Sequence, residues 1–295
     1  MKKKAPVEKG IKGNRVSGET DYSKHCTEGT PFSVERILLP NGIDLKSVTF
    51  TPAIQKGHLP VIFVPGMASV MENFSGTLIA LTRDFVVHFI ETREKASSIL
   101  PEKTGFDVAG IASDIAGAVD HYNFDPGEYI LLTYSLGATA AAESFNSIIR
   151  NKPRLLVMIE PSGTFRIPKI GIFIASYFVW TYRLIKPLIK LYIKKFLVNT
   201  KEDYYMNLIS IHVIDAADPR KLGATILAIS RYKIWSALEK IDVPTVVIGA
   251  SRDTFHSLDE AMEISSHIKG STYIDMVTNK RTHSDEVVDC IIKFI

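Results

Sequence analysis

A chain of 295 residues, 46% of them hydrophobic, is long enough to bury a full core, as one large domain or as a domain carrying an insertion. A net charge of +3 gives no case for nucleic acid as a partner. Cys26 and Cys290 lie near opposite ends and form neither a metal-ligand spacing nor a disulfide framework, which fits a reducing cytoplasm.

Met1 to Lys4 begins like a signal peptide, but no apolar stretch follows, and residues 1–29 read as a mobile polar arm. Patterning starts at Phe32. Phe32 to Leu39 and Leu45 to Thr51, joined by Pro40-Asn-Gly-Ile-Asp44, read as an antiparallel hairpin. Leu59 to Val64 is a continuous apolar strand of the kind buried on both faces, and it runs into Pro65-Gly-Met-Ala-Ser69. An amphipathic helix is expected over Asn73 to Thr82, then a strand over Phe85 to Ile90. In the Glu91-Thr-Arg-Glu-Lys-Ala-Ser97 stretch, an ion pair of Glu91 with Arg93 is expected to hold the loop. Asp107 to Tyr122 reads as a helix with Val108, Ile111, Ile115 and Val119 on one face.

Tyr129 to Leu132 is a buried strand, and the small residues Ala138 to Ala142 form a helix packed closely against a sheet. Ser135 sits between them at a strand-to-helix turn, with Gly137 two residues on. Its hydroxyl is exposed above the first helical N–H groups, which suit a developing negative charge. Arg154 to Ile159 is another strand. Strands alternating with helices imply a mostly parallel sheet covered on both sides.

Between Ser162 and Ile241 the pattern is helical only. Ile170 to Tyr182 is almost wholly apolar yet shorter than the about 20 residues that span a bilayer. In the following run Ile185, Leu188, Ile189, Tyr192 and Phe196 share a face, with Lys186, Lys190, Lys194 and Lys195 away from it. Asp215, Asp218 and Arg220 read as turn or cap charges. Strands resume at Val243 to Ile248, leading into Gly249-Ala-Ser-Arg-Asp253, and at Ser271 to Val277. A polar loop, Thr278 to Ser284, precedes a last helix, Asp285 to Phe294.

The Thr133-Tyr-Ser-Leu-Gly137 turn resembles the G-x-S-x-G nucleophile elbow of the α/β-hydrolase family, with Thr133 in place of the first glycine. The resemblance covers roughly Phe32 to Ile295. It implies an α/β fold, a mostly parallel central sheet with helices on both faces. Residues 30–162 and 242–295 are then the core, and 163–241 a helical cap. It also implies a triad in the family's chain order, with Ser135 as nucleophile, Asp253 as acid and His283 as base. His256, three residues past Asp253, is weighed as a local loop partner, and Glu160 as a substitute acid. Met67 and Leu136 correspond to the two oxyanion-hole donors, worth roughly 3–4 kcal/mol each in the transition state. Pro65 stands where the family usually has a His that braces the loop.

The implied activity is that of a serine esterase or lipase-like hydrolase. It would cleave a carboxylic ester with a hydrophobic acyl or alkyl part through an acyl-enzyme, without metal or organic cofactor; a thioester suits the same triad. The expected partner is a small ester. The cap adds peripheral contact with the inner face of the membrane as a further expectation, and the sequence leaves the oligomeric state open. The alternative from another class is a non-catalytic relative that binds a small apolar ligand or a membrane surface.

Overall fold

The computed structural model describes residues 20–165, 182–192, 204–253 and 256–295, and the single positions 167, 169, 172 and 195. The arm up to residue 19, most of the apolar Ile170 to Tyr182 run, Phe196 of the expected apolar face and Lys194 away from it lie outside them.

Eight strands form one sheet: β1 (Phe32–Leu38), β2 (Asp44–Phe50), β3 (Val61–Val64), β4 (Val87–Glu91), β5 (Ile130–Tyr134), β6 (Leu155–Ile159), β7 (Thr245–Gly249) and β8 (Thr272–Asp275). Their spatial order is β1-β2-β4-β3-β5-β6-β7-β8. The hairpin expected at the start forms as β1 and β2, and β2 pairs antiparallel with β4. Every other neighbouring pair is parallel.

The central strands are buried on both faces because each residue of their apolar runs faces one of two cores. Ile62, Val64, Leu131, Leu156 and Met158 point to one side, and Val61, Phe63, Leu132, Val157 and Ile159 to the other. Helices α2 (Val108–Tyr122) and α3 (Leu136–Ser144) cover the first side, and α1 (Ser75–Leu81) the second. The Asp107 carboxylate caps α2 by accepting from the Gly110 N–H, and Asn123 closes it in the left-handed conformation.

Among the described residues, four helices stand between β6 and β7: α4 (Tyr182–Tyr192), α5 (Tyr204–Ala216), α6 (Pro219–Ile229) and α7 (Trp235–Leu238). Asp218 caps α6 by accepting from the N–H groups of Arg220 and Lys221, with Pro219 in the first turn, where a missing N–H costs nothing. Ile229, Ile234, Ala237, Leu238 and Ile241 sit in the same buried cluster as α3, so the end of this segment is part of the sheet's own core. Helix α8 (Leu258–His267) links β7 to β8, in a stretch for which the sequence reading assigns no helix. Its signal was present: Ser257 accepts from the Glu260 N–H, the S-x-x-E arrangement of a capping box. The polar Thr278 to Ser284 loop contains a turn of helix, α9 (Asn279–Thr282), and α10 (Glu286–Ile292) ends the chain against the second core.

Candidate active site

The turns that follow β3, β5, β6 and β7 converge at the C-terminal edge of the parallel strands, where such sheets bind ligands. Ser135 holds a φ of +47° and ψ of −117° between β5 and α3. That conformation is strained for a residue with a Cβ, at a cost of about 1–3 kcal/mol, and it lifts the side chain off the strand line. Gly137 makes the turn feasible: a Cβ there would come within 2.7 Å of the Pro65 carbonyl oxygen and 2.8 Å of that of Val64. Thr133 fits where a small residue is expected because its hydroxyl donates to the Val157 carbonyl on β6 at 2.8 Å.

The imidazole opposite the serine belongs to His256. Its Nε2 lies 3.1 Å from Ser135 Oγ, and its Nδ1 lies 2.8 Å from Asp253 Oδ2. The Asp253 side chain is fully buried and that of His256 is 14% exposed. The expectation put His283 in this place, and the structure sets that residue elsewhere. His283 is buried at the end of α9, its Nδ1 2.9 Å from the Asn279 carbonyl oxygen and its ring stacked on Phe74. An Nδ1–H donated there satisfies a backbone acceptor rather than the acid's carboxylate. His256 was weighed only as a local partner of Asp253; it is that partner and also meets Ser135. The spacing showed the first contact, whereas the second depends on the path of the loop after β7.

The two rings carry opposite electrostatics. Burial pulls His256 down, but the Asp253 carboxylate, its hydrogen bond, and the carboxylates of Glu160 and Glu260 outweigh it and lift the ring to about 9. Burial holds His283 down to about 4 despite the Asn279 carbonyl and Asp253, and the His256 charge lowers it further.

Glu160 ends β6 in the left-handed region, with φ +50° and 3% exposure. It accepts the Thr282 hydroxyl at 2.5 Å, and its carboxylate lies with that of Asp253 and the His256 imidazole in a cluster whose ligand-type atoms are all within 4.8 Å of one another. Two carboxylates and an imidazole suit a divalent cation. Here Asp253 already engages His256, and Glu160 engages Thr282, so the cluster reads as a hydrogen-bonded network around the imidazole.

Met67 and Leu136 flank the serine from the two turns. Leu136 opens α3, where backbone N–H groups lack helical partners, and a Cβ on Gly66 would lie 3.2 Å from the Ser135 Cβ. The bracing that Pro65 cannot give comes from Lys95 of the β4–α2 loop, whose buried ammonium donates to the Gly66 carbonyl and pairs with Glu94 at 2.7 Å. Lys221 of α6 donates in turn to the carbonyls of Lys95, at 2.7 Å, and Ser98, at 2.6 Å. A cleft of about 280 Å³ opens beside this loop, lined by Ser69, Val70, Met71, Lys95, Ser97 and Ala216 among others. The expected Glu91–Arg93 pair does not form. Arg93 instead grips Asp114 on α2 through Nε at 3.0 Å and Nη2 at 2.8 Å, while Glu91 takes Lys46 and the Ser97 hydroxyl.

No family model and no curated protein matches the sequence. Solved structures are similar in fold. A bromoperoxidase from Bacillus anthracis superposes with a TM-score of 0.72 at 15% identity, covering 89% of this chain and 99% of its own. An esterase from Exiguobacterium antarcticum gives 0.70 at 15%, covering 88% and 98%. An enol-lactonase from Burkholderia xenovorans LB400 gives 0.70 at 14%, covering 88% and 99%. Strand order, the serine on its strained turn and these likenesses agree: the chain has the α/β-hydrolase fold.

Proposed function

We propose that the protein is a serine hydrolase that cleaves a carboxylic ester with a hydrophobic acyl or alkyl part. Ser135 is its nucleophile, His256 its general base and acid, and Asp253 the carboxylate that holds the imidazole. The observation that carries this reading is the continuous chain from Ser135 Oγ through His256 to Asp253, at 3.1 and 2.8 Å, with the serine on a strained turn. Neighbours of this fold include a bromoperoxidase as well as esterases, so fold does not choose the reaction.

In the reaction, neutral His256 takes the Ser135 proton on Nε2 as Oγ attacks the ester carbonyl, and Asp253 steadies the imidazolium through Nδ1–H. The tetrahedral oxygen rests on the N–H groups of Met67 and Leu136. His256 then protonates the leaving alkoxide, and a water deprotonated by the same ring releases the acyl group from Ser135. The helices α4–α6 act as the cap, with Lys95 and Lys221 coupling α6 to the oxyanion turn. Free thiols suit the cytoplasm as the location.

The test is hydrolysis of p-nitrophenyl esters from acetate to palmitate. Ser135→Ala and His256→Ala are each expected to lower kcat by roughly 10⁴-fold or more, with loss of fluorophosphonate labelling in Ser135→Ala. His283→Ala is expected to retain turnover, and a chelator to leave it unchanged. Loss in His283→Ala with retention in His256→Ala would move the base to His283. No turnover and no labelling in the wild type would favour the binding protein.

A further inference from the structure

Helix α4 shows its apolar side to solvent. Leu184, Leu188 and Leu191 are 79%, 65% and 58% exposed, and their spacing of four and three residues stacks them along one line of the helix. The expected apolar face differs from the one observed. Tyr182 is buried, its hydroxyl donating to the Ile214 carbonyl at 2.8 Å, and Ile185 and Ile189 are half-buried beside it. Lys186 and Lys190 also turn toward α5, where both pair with Asp215, at 2.9 and 2.7 Å. The helix is thus anchored through one side and presents leucines on the other.

Basic residues predominate in this segment of the chain. Between Glu160 and Glu202 the chain carries eight lysines and arginines and no acidic residue. Asp215 answers two lysines with a single carboxylate, and the lysines hold that carboxylate below its usual range. Lys195, three residues past the end of α4, is exposed. A leucine ridge in a field of positive charge complements an interface that is apolar beneath and anionic at its surface. A second copy of the same helix would instead bring like charges together.

We infer that α4 docks the protein on an anionic lipid surface, with Leu184, Leu188 and Leu191 entering the headgroup boundary and the surrounding cations meeting lipid phosphates and carboxylates. No described helix is long and apolar enough to cross a membrane, so the contact is peripheral. The inference stands apart from the hydrolase reading, since none of these residues touches Ser135, His256 or Asp253 in that scheme.

Co-sedimentation of the full chain with vesicles tests it, using phosphatidylcholine alone and equal parts phosphatidylcholine and phosphatidylserine. The wild type is expected to pellet with the mixed vesicles, at least tenfold more strongly than with phosphatidylcholine alone, and to release as salt rises. Leu184→Ser/Leu188→Ser/Leu191→Ser should lose most of that binding. Because these side chains are exposed, its thermal midpoint in lipid-free solution should match the wild type. A second variant, Lys195→Glu, should weaken pelleting with mixed vesicles alone. Equal pelleting of the triple variant and wild type, or none by the wild type, would overturn the proposal. So would a concentration-dependent doubling of mass in lipid-free solution that the triple variant abolishes, which would make α4 a self-association surface.

Discussion

A serine at φ +47° and an imidazole among three carboxylates pose different problems at the scale of single residues. The serine's strain is offset by neighbours that leave its turn no alternative, above all Gly137 against the backbone of Val64 and Pro65. The imidazole's surroundings set when it can work. With its pKa lifted to about 9, His256 is mostly an imidazolium at neutral pH, and in the proposed reaction it accepts a proton from Ser135 only as the pH rises toward that value. Ester turnover is therefore expected to climb from pH 7 to about 9. Asp253, Glu160 and Glu260 raise the ring, burial opposes them, and His283 stands close on the α9 side. Glu160→Gln keeps the acceptor for Thr282 and removes one of these charges. Its kcat/KM profile should shift to lower pH, with turnover at pH 7 equal to or above the wild type's. An unshifted profile would show that Glu160 supports α9 alone.

At the scale of elements, the site depends on how closely β3 approaches α3. Gly137→Ala would drive a methyl group against two backbone carbonyls, which can yield only if the strand end and the helix part. Overpacking of this kind costs roughly 1–3 kcal/mol. In the proposed reaction, a displacement near 1 Å at the turn after β3 can lower the rate by about 10². The variant should thus show a modest fall in urea midpoint and a disproportionate fall in kcat, measured on the same preparation. The β4–α2 loop is fixed in a similar way. Arg93 reaches Asp114 across to α2, and Lys95 reaches Gly66, so one loop ties the sheet's covering helix to the turn after β3.

For the molecule as a whole, the buried histidines set the response to acid. Burial lowers His25, and holds His88 and His283 down to about 4 each. Below 6.5 the unfolded chain binds protons that the folded chain refuses, so stability falls as the pH drops from 6.5 toward 4. His256 has the opposite sign: its contribution is complete below 6.5 and is lost as the pH rises through about 9. Urea midpoints at pH 7, 6 and 5 should decline steadily. His88→Gln/His283→Gln should flatten that decline whatever its effect at pH 7. A wild-type midpoint that does not change across this window would refute the account.

Much of this protein is legible in the chain itself, for local reasons. Runs such as Val61–Val64, Ile130–Tyr134 and Leu155–Ile159 declare strands buried on both sides, because only a covered parallel sheet removes every side chain of such a run from water. Ser135 beside Gly137, and Asp253 beyond β7, are marked by their positions after those strands. Helix α8 was equally readable from Ser257 and Glu260. Contacts between loops were not. Whether His256 or His283 faces the serine, whether Arg93 turns to Glu91 or to Asp114, and whether α4 hides Ile185 or Leu188 depend on the paths of segments distant in the chain. Periodicity reports that a residue is buried or exposed. Only the tertiary structure decides which group it meets there, because side-chain reach and burial select among several partners of equal chemistry.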